Sequence, residues 1–246
     1  MNHFKQGIQS LFAGFKLILQ PGVRLYVIIP FIINFLLFTG VIYFGANQLQ
    51  GLIDWMVSQW QWTEWLKWLI WPLFVLISLI IVFFCFTIVA NIIGSPFNGF
   101  LAEAVERHLL KTNTIDTIQR PIKEEVILAF RGEMQKLGYF IPRAIPLLIL
   151  FAVPFLNVSA PFLWFLFSAW MLALEYMDYP MGNHGFIFKD QRKLLFSNKP
   201  LTFGFGFGAM TLTMIPVINF IAMPVAVAGA TKMYVDNREI LIDRTE

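Results

Sequence analysis

The residues with the clearest chemical capacity are Gln20-Pro21-Gly22-Val23-Arg24-Leu25. A helix that begins there leaves its first amides, on Val23, Arg24 and Leu25, without intrahelical acceptors, and the helix dipole puts partial positive charge at the same end. Gly22 allows an anion to approach the backbone, and Arg24 adds a permanent, forked donor. Together Gly22, Val23, Arg24 and Leu25 suit an oxyanion held at a membrane face. The alternative is that Arg24 snorkels to lipid headgroups and fixes the orientation of the chain.

A second set is acidic: Glu103 and Glu106, then Glu175 and Asp178. A carboxylate near hydrocarbon keeps its proton more tightly, so these positions could couple anion movement to protons. The structural alternative is equally concrete, because Glu103 and Arg107 stand at i,i+4 and Asp178 could satisfy backbone or a basic neighbour. Asn34, Asn91, Asn157 and Asn219 offer uncharged donors able to pass an anion without trapping it, and Asn98 is a further candidate on such a path. Interhelical glue is their other reading.

Other chemistries find little support. His184 has no second histidine or cysteine at ligand spacing, so neither a metal nor another cofactor is expected. No Gly-x-x-x-x-Gly-Lys loop is present to cradle nucleotide phosphates, and no nucleophile, base and orienting group occur in order. An enzyme is not expected, although spacing alone leaves open a lipid-modifying activity using Glu103, Asp178 and His184. The single cysteine, Cys85, reads as a small hydrophobe, and a net charge of +3 gives no reason to expect nucleic acid.

The elements that must carry these residues are membrane elements. Four stretches hold no charged residue, Leu25 to Ile53, Trp68 to Ala102, Ala144 to Leu174 and Pro200 to Thr231. Each exceeds the roughly 20 apolar residues that cross hydrocarbon as a helix. A composition 58% hydrophobic, 17% aromatic and only 13% charged exceeds what a soluble core can bury. Of the 18 Lys and Arg, only Lys67 falls in the loop from Asp54 to Lys67, which places that loop outside and the other connections on the cytoplasmic side. Stretches three and four then have to enter and leave on one side. Pro154 and Pro161 interrupt one and Pro216 and Pro224 the other, so the arms are expected to be too short to span alone. Pro154-Phe155-Leu156-Asn157 recurs as Pro216-Val217-Ile218-Asn219, which gives two hairpins on one plan, with asparagine and freed backbone groups at the tips sheltered by protein or water. Two proline-kinked helices are the alternative.

These considerations predict an all-α integral membrane protein with two transmembrane helices and two re-entrant, partly inserted hairpins. The chain reads as a single membrane domain, 1–246. Residues 1–20 are an amphipathic helix in the interface, expected to remain in the mature chain, with Phe4, Ile8, Leu11, Phe12, Phe15, Ile18 and Leu19 recurring at helical spacing. Residues 23–50 and 66–93 are the spans. Ser95 and Pro96 cap and open a helix, Pro121 opens another, and 96–139 are cytoplasmic helices in which Lys123 to Lys136 reads as a solvated packing helix. Residues 140–178 and 202–234 are the hairpins.

Several motifs resemble one family. Gln20-Pro21-Gly22-Val23-Arg24, Ser95-Pro96-Phe97-Asn98-Gly99-Phe100-Leu101-Ala102-Glu103, the run Trp164 to Ala173, Asp178-Tyr179-Pro180 with Asn183-His184, and Met223 to Thr231 are similar to the CysZ family of bacterial sulfate permeases. The similarity runs from Phe12 to Asp236. It implies sulfate uptake across the bacterial inner membrane to supply cysteine biosynthesis, by a homo-oligomer in contact with membrane lipids, with sulfite as a competitor. It also implies that Pro21, Gly22 and Arg24 form the anion turn and that Gly99 through Glu103 form the family's Gly-Leu-Leu-Ala-Glu element, with Phe100 in place of its first leucine. Leu25 stands where the family carries a second basic residue. Sulfate suits donors alone, being fully deprotonated at neutral pH, whereas protonated phosphate also needs an acceptor. Channel-like and proton-coupled mechanisms both remain compatible, and a membrane scaffold or lipid-handling factor is the other function class.

Overall fold

Asn2 accepts the Phe4 amide at 3.1 Å and so caps the first helix, α1 (His3–Leu17). The computed structural model describes residues 2–59, 72, 73, 75, 76, 80, 97–112, 115 and 122–239. Among them every regular element is helical: α1, α2 (Leu25–Gln59), α3 (97–110), α4 (Ile122–Ala152), α5 (Ala160–Asn183), α6 (Phe188–Ser197), α7 (Lys199–Met214) and α8 (Pro216–Asp236). The chain divides into two compact units, Met1–Tyr26 with Asn98–Glu246, and Val27–Phe97.

In the first unit, α1 packs on α7 and α8 through small residues. Gly7, Ser10, Leu11, Gly14 and Leu17 are its buried positions. A Cβ at Gly7 would overlap the Leu201 carbonyl oxygen, one at Gly14 the Val225 carbonyl oxygen, and one at Gly204 the Phe4 carbonyl oxygen. The backbones therefore touch, which only glycine permits. Of the apolar residues expected to share one face, Leu11 and Ile18 turn inward while Phe12 and Leu19 are exposed. Periodicity registered the bulky residues, but the packing face is set by the small ones.

Two helical hairpins follow. In the first, α4 and α5 are joined by residues 153–159, where Phe155 adopts φ 67° and Asn157 donates its amide to the Val153 carbonyl at 3.0 Å. In the second, α7 ends at Met214 and α8 begins at Pro216. Both turns present apolar side chains outward, with Phe155 94% and Val217 81% exposed. The expectation that proline leaves every arm too short is corrected for α5 and α8. Their 24 and 21 residues run unbroken and are long and apolar enough, by length and composition, to cross a membrane. Pro161 and Pro216 stand in the first turn of their helices, where proline forgoes no bond, and Pro224 lies inside α8 without ending it. Likewise α4 continues through Pro142 and Pro146, so no break separates 122–139 from the segment beginning at 140.

In the second unit, α2 runs through Pro30 to Gln59, well past residue 50, and its 35 residues reach about 52 Å, more than the hydrocarbon thickness. The expected second span, 66–93, lies outside the described residues except at 72, 73, 75, 76 and 80. Ser95, Pro96 and Pro121 lie outside them too.

Candidate functional site

The polar residues of α3 and of the C-terminal half of α5 meet because each helix buries one face and turns a second to its neighbours. On α3, Leu101, Ala102 and Val105 are sealed in the core. On α5, Glu175 and Asp178 stand at i,i+3 and face α4, while Tyr179 and Asn183 stand at i,i+4 and face α3. Asn183 donates to the Gly99 carbonyl at 3.0 Å. Asn98 reaches the Tyr179 hydroxyl at 3.4 Å and the Met223 sulfur at 3.6 Å, so it ties α3 to both α5 and α8. Glu103 is engaged within its own helix by Arg107 at 2.6 Å.

Lys136 is the centre of the α4–α5 contact. Its ammonium lies 2.6 Å from Asp178, 3.0 Å from Glu175 and 2.9 Å from Glu133, and its side chain is only 8% exposed. Burial disfavours its charge, but Asp178 and Glu175 more than offset this and hold the ammonium well above the ordinary lysine range. Gln191 of α6 donates to Asp178 at 2.7 Å and to the Phe186 carbonyl at 2.9 Å, which adds α6 to the cluster. Three carboxylates around one ammonium would repel a dianion. The arrangement is a clasp between helices and not an oxyanion seat.

A second buried pair lies between α3 and α5. His184 Nε2 is 2.9 Å from Glu106, whose side chain is 1% exposed, and the imidazole lies over Tyr234 of α8 with centroids 5.2 Å apart. The Tyr234 hydroxyl and Gln191 Oε1 are buried without a hydrogen-bond partner among the described residues. No group of three or more metal-ligating side chains occurs among those residues.

The Gln20–Leu25 turn differs from its expected geometry in one respect. Gly22 adopts φ 85°, as a tight turn requires, but the amides of Val23 and Arg24 both donate to the Gln20 carbonyl at 3.1 Å. They are not free. Val23 is buried, whereas Arg24 and Leu25 are exposed, and Arg24 forms no ion pair among the described residues. The turn therefore presents one unpaired guanidinium, and Gly22 leaves open space where a side chain would stand.

With this geometry in view, a family model described as Sulfate transporter CysZ/Etoposide-induced protein 2.4 matches residues 10–224. The chain belongs to that family. It is 46% identical over 236 residues to the sulfate transporter CysZ of Pseudomonas fluorescens strain Pf-5, covering 95% of each chain. It is 41% identical over 237 residues to that of Pectobacterium atrosepticum, covering 96% of this chain and 86% of the relative, and 42% identical over 234 residues to that of Salmonella typhimurium, covering 94% and 92%. These relatives are named as transporters.

Along the chain, the expected residues fall into separate groups. Glu175 and Asp178 come together on Lys136, Asn98 joins α5 and α8, and Glu103 is paired within α3. Asn157 and Asn219 are exposed at or beside the two hairpin turns. Asn34, on α2, has a buried Oδ1 with no partner among the described residues, and the neighbouring cavity of about 500 Å³ is lined by Ile33, Leu36, Leu37, Gly40 and Phe44. Asn91 lies outside the described residues. Lys136, Gln191 and the pairing of Glu106 with His184 were not anticipated. Lys136 read as part of a solvated helix because two of its partners, Glu175 and Asp178, lie far along the chain, and only its position about two turns before the charge-free stretch hinted at burial.

Proposed function

We propose that this chain carries sulfate across the bacterial cytoplasmic membrane and so supplies sulfur for cysteine biosynthesis. One observation carries the reading: identity of 46% over 95% of both chains with a protein named sulfate transporter CysZ. Gly22, Val23, Arg24 and Leu25 form the sulfate-contacting turn, with the Arg24 guanidinium as its principal donor and the backbone in a supporting role. The free guanidinium and the open space at Gly22 support this assignment.

In this reading α1 rests at the cytoplasmic interface and the α4–α5 and α7–α8 hairpins enter the bilayer from that side. Exposed apolar side chains at both turns support insertion. Length supports partial insertion, since α7, with 16 residues, reaches about 24 Å, and the apolar end of α4 from Ala144 to Ala152 only about 14 Å, against about 30 Å of hydrocarbon. A homo-oligomer then shelters Asn157 and Asn219 from lipid. Sulfite, an oxyanion of similar size that is partly doubly charged at neutral pH, competes. Lys136 and Arg107 engage Glu175, Asp178 and Glu103, and a pH gradient imposed during transport distinguishes a channel-like mechanism from proton coupling.

The test is radiolabelled sulfate entry into liposomes containing the purified chain, with and without an imposed pH gradient. Flux that is saturable, insensitive to the gradient and reduced at least tenfold in Arg24→Ala supports the proposal. Absence of flux from well-folded protein would leave the scaffold or lipid-handling reading in its place. Unchanged sulfate affinity in Arg24→Ala would remove Arg24 from the site.

A further inference from the structure

A chain of aromatic rings on the α4, α5 and α6 surface carries cations that form no ion pair among the described residues. The Arg143 guanidinium lies 3.7 Å and the Arg192 guanidinium 4.9 Å from the centroid of the same Tyr139 ring. The Tyr139 hydroxyl accepts from Trp170 Nε1 at 3.2 Å, Trp170 meets Phe196 edge-on at 6.1 Å, and the Lys199 ammonium lies 3.9 Å from the Phe196 centroid. Arg143 also donates to the Tyr139 carbonyl at 2.9 Å, which fixes its stem. These contacts hold three cations in place from three helices. Among the described residues, none of the three forms an ion pair, whereas Arg107, Lys136 and Lys232 all do. Lys189 and Lys193, both exposed, add positive charge on α6, against Asp190 on that helix and against Glu133, Glu175 and Asp178, which share the one ammonium of Lys136.

The position of the patch selects its partner. Arg143 is the last charge before the stretch Ala144 to Leu174, and Lys199 the last before Pro200 to Thr231. The cations therefore stand where the polar parts of α4 and α6 give way to both apolar hairpins. Exposed Ile141, Ile145 and Phe196 flank them and offer contacts for acyl chains. Aromatic rings and arginine at such a boundary match the depth of a phospholipid headgroup. A guanidinium over a ring keeps N–H donors at its edge, and each of the two is itself a forked donor for phosphodiester oxygens. A soluble anion would gain nothing from the flanking isoleucines.

We propose that Arg143, Arg192 and Lys199, mounted on Tyr139 and Phe196, form a binding site for the headgroup of an anionic phospholipid. The site is independent of the sulfate-contacting turn and does not rest on transport. Its test is native mass spectrometry of the purified full chain titrated with phosphatidylglycerol, cardiolipin or phosphatidylcholine, in the absence of sulfate. The wild-type chain is expected to retain the two anionic lipids in preference to phosphatidylcholine. Each cation near a membrane surface is worth about fivefold in affinity, so the Arg143→Gln, Arg192→Gln double variant should lose about 25-fold. The Arg143→Lys, Arg192→Lys variant, which keeps the charge but not the fork, should fall between, and Lys5→Gln, on a different helix, should bind as wild type. Thermal melting of each variant separates loss of binding from loss of fold. Equal phosphatidylglycerol binding by the folded double variant would overturn the proposal, as would displacement of the lipid by millimolar inorganic phosphate, which would mark a soluble-anion site.

Discussion

His184 Nε2 stands 2.9 Å from both carboxylate oxygens of Glu106, and the pair is almost sealed from solvent. A buried carboxylate without a partner carries a large desolvation cost, so this contact fixes the end of α5 against α3. His184→Ala should therefore lower stability by about 3 kcal/mol, whereas Glu106→Gln, whose amide can still bond the imidazole, should lose less. Thermal melts in detergent decide this, and a His184→Ala melt indistinguishable from wild type would refute it.

Lys136 offers a second break point. Lys136→Met keeps the aliphatic stem but leaves Asp178 and Glu175 facing each other without their shared cation. Both carboxylates are partly exposed, so water takes up some of the loss, and about 2 kcal/mol is expected, below the cost of breaking a fully buried pair. Asp178→Asn should cost less, because Glu175 and Glu133 remain on the ammonium.

The same lysine gives a pH dependence of definite sign. Its folded-state pKa is raised above the unfolded value of about 10.4, so its contribution is present in full below that pH and declines as pH climbs further. The difference in melting temperature between wild type and Lys136→Met should stay constant from pH 7 to about pH 10 and narrow above it. A difference that instead widened with alkali would contradict the clasp.

Glycine substitutions separate packing from propensity. Gly204→Ala puts a methyl group into the Phe4 carbonyl, where backbone has to move, and should reduce the folded yield sharply or cost more than about 2 kcal/mol. Gly132→Ala, on the open face of α4, meets nothing within 4 Å and should be neutral or stabilising by up to about 1 kcal/mol. Fluorescence-detected size-exclusion profiles of the two variants compare them directly.

How much was legible in the sequence depended on range. The first, third and fourth charge-free stretches marked helices, and Pro154, Pro161 and Pro216 marked where the chain reverses, because a proline beside polar turn residues acts locally. Pro142, Pro146 and Pro224 look the same in sequence but lie inside helices, and the difference is made by packing that the sequence does not display. The partners of α1 could not be inferred, since a glycine-lined face carries no hydrophobic signal until its counterpart on α7 is known. At the site, Glu103 with Arg107 was visible because both stand on one helix. Lys136 with Glu175, 39 positions apart, was not.

The seat of α1 has a bearing on biogenesis. Its glycines close onto α7 and α8, which follow far along the chain, so α1 cannot reach its final place until both of those helices have been made. Until then its small-residue face has no counterpart to close on.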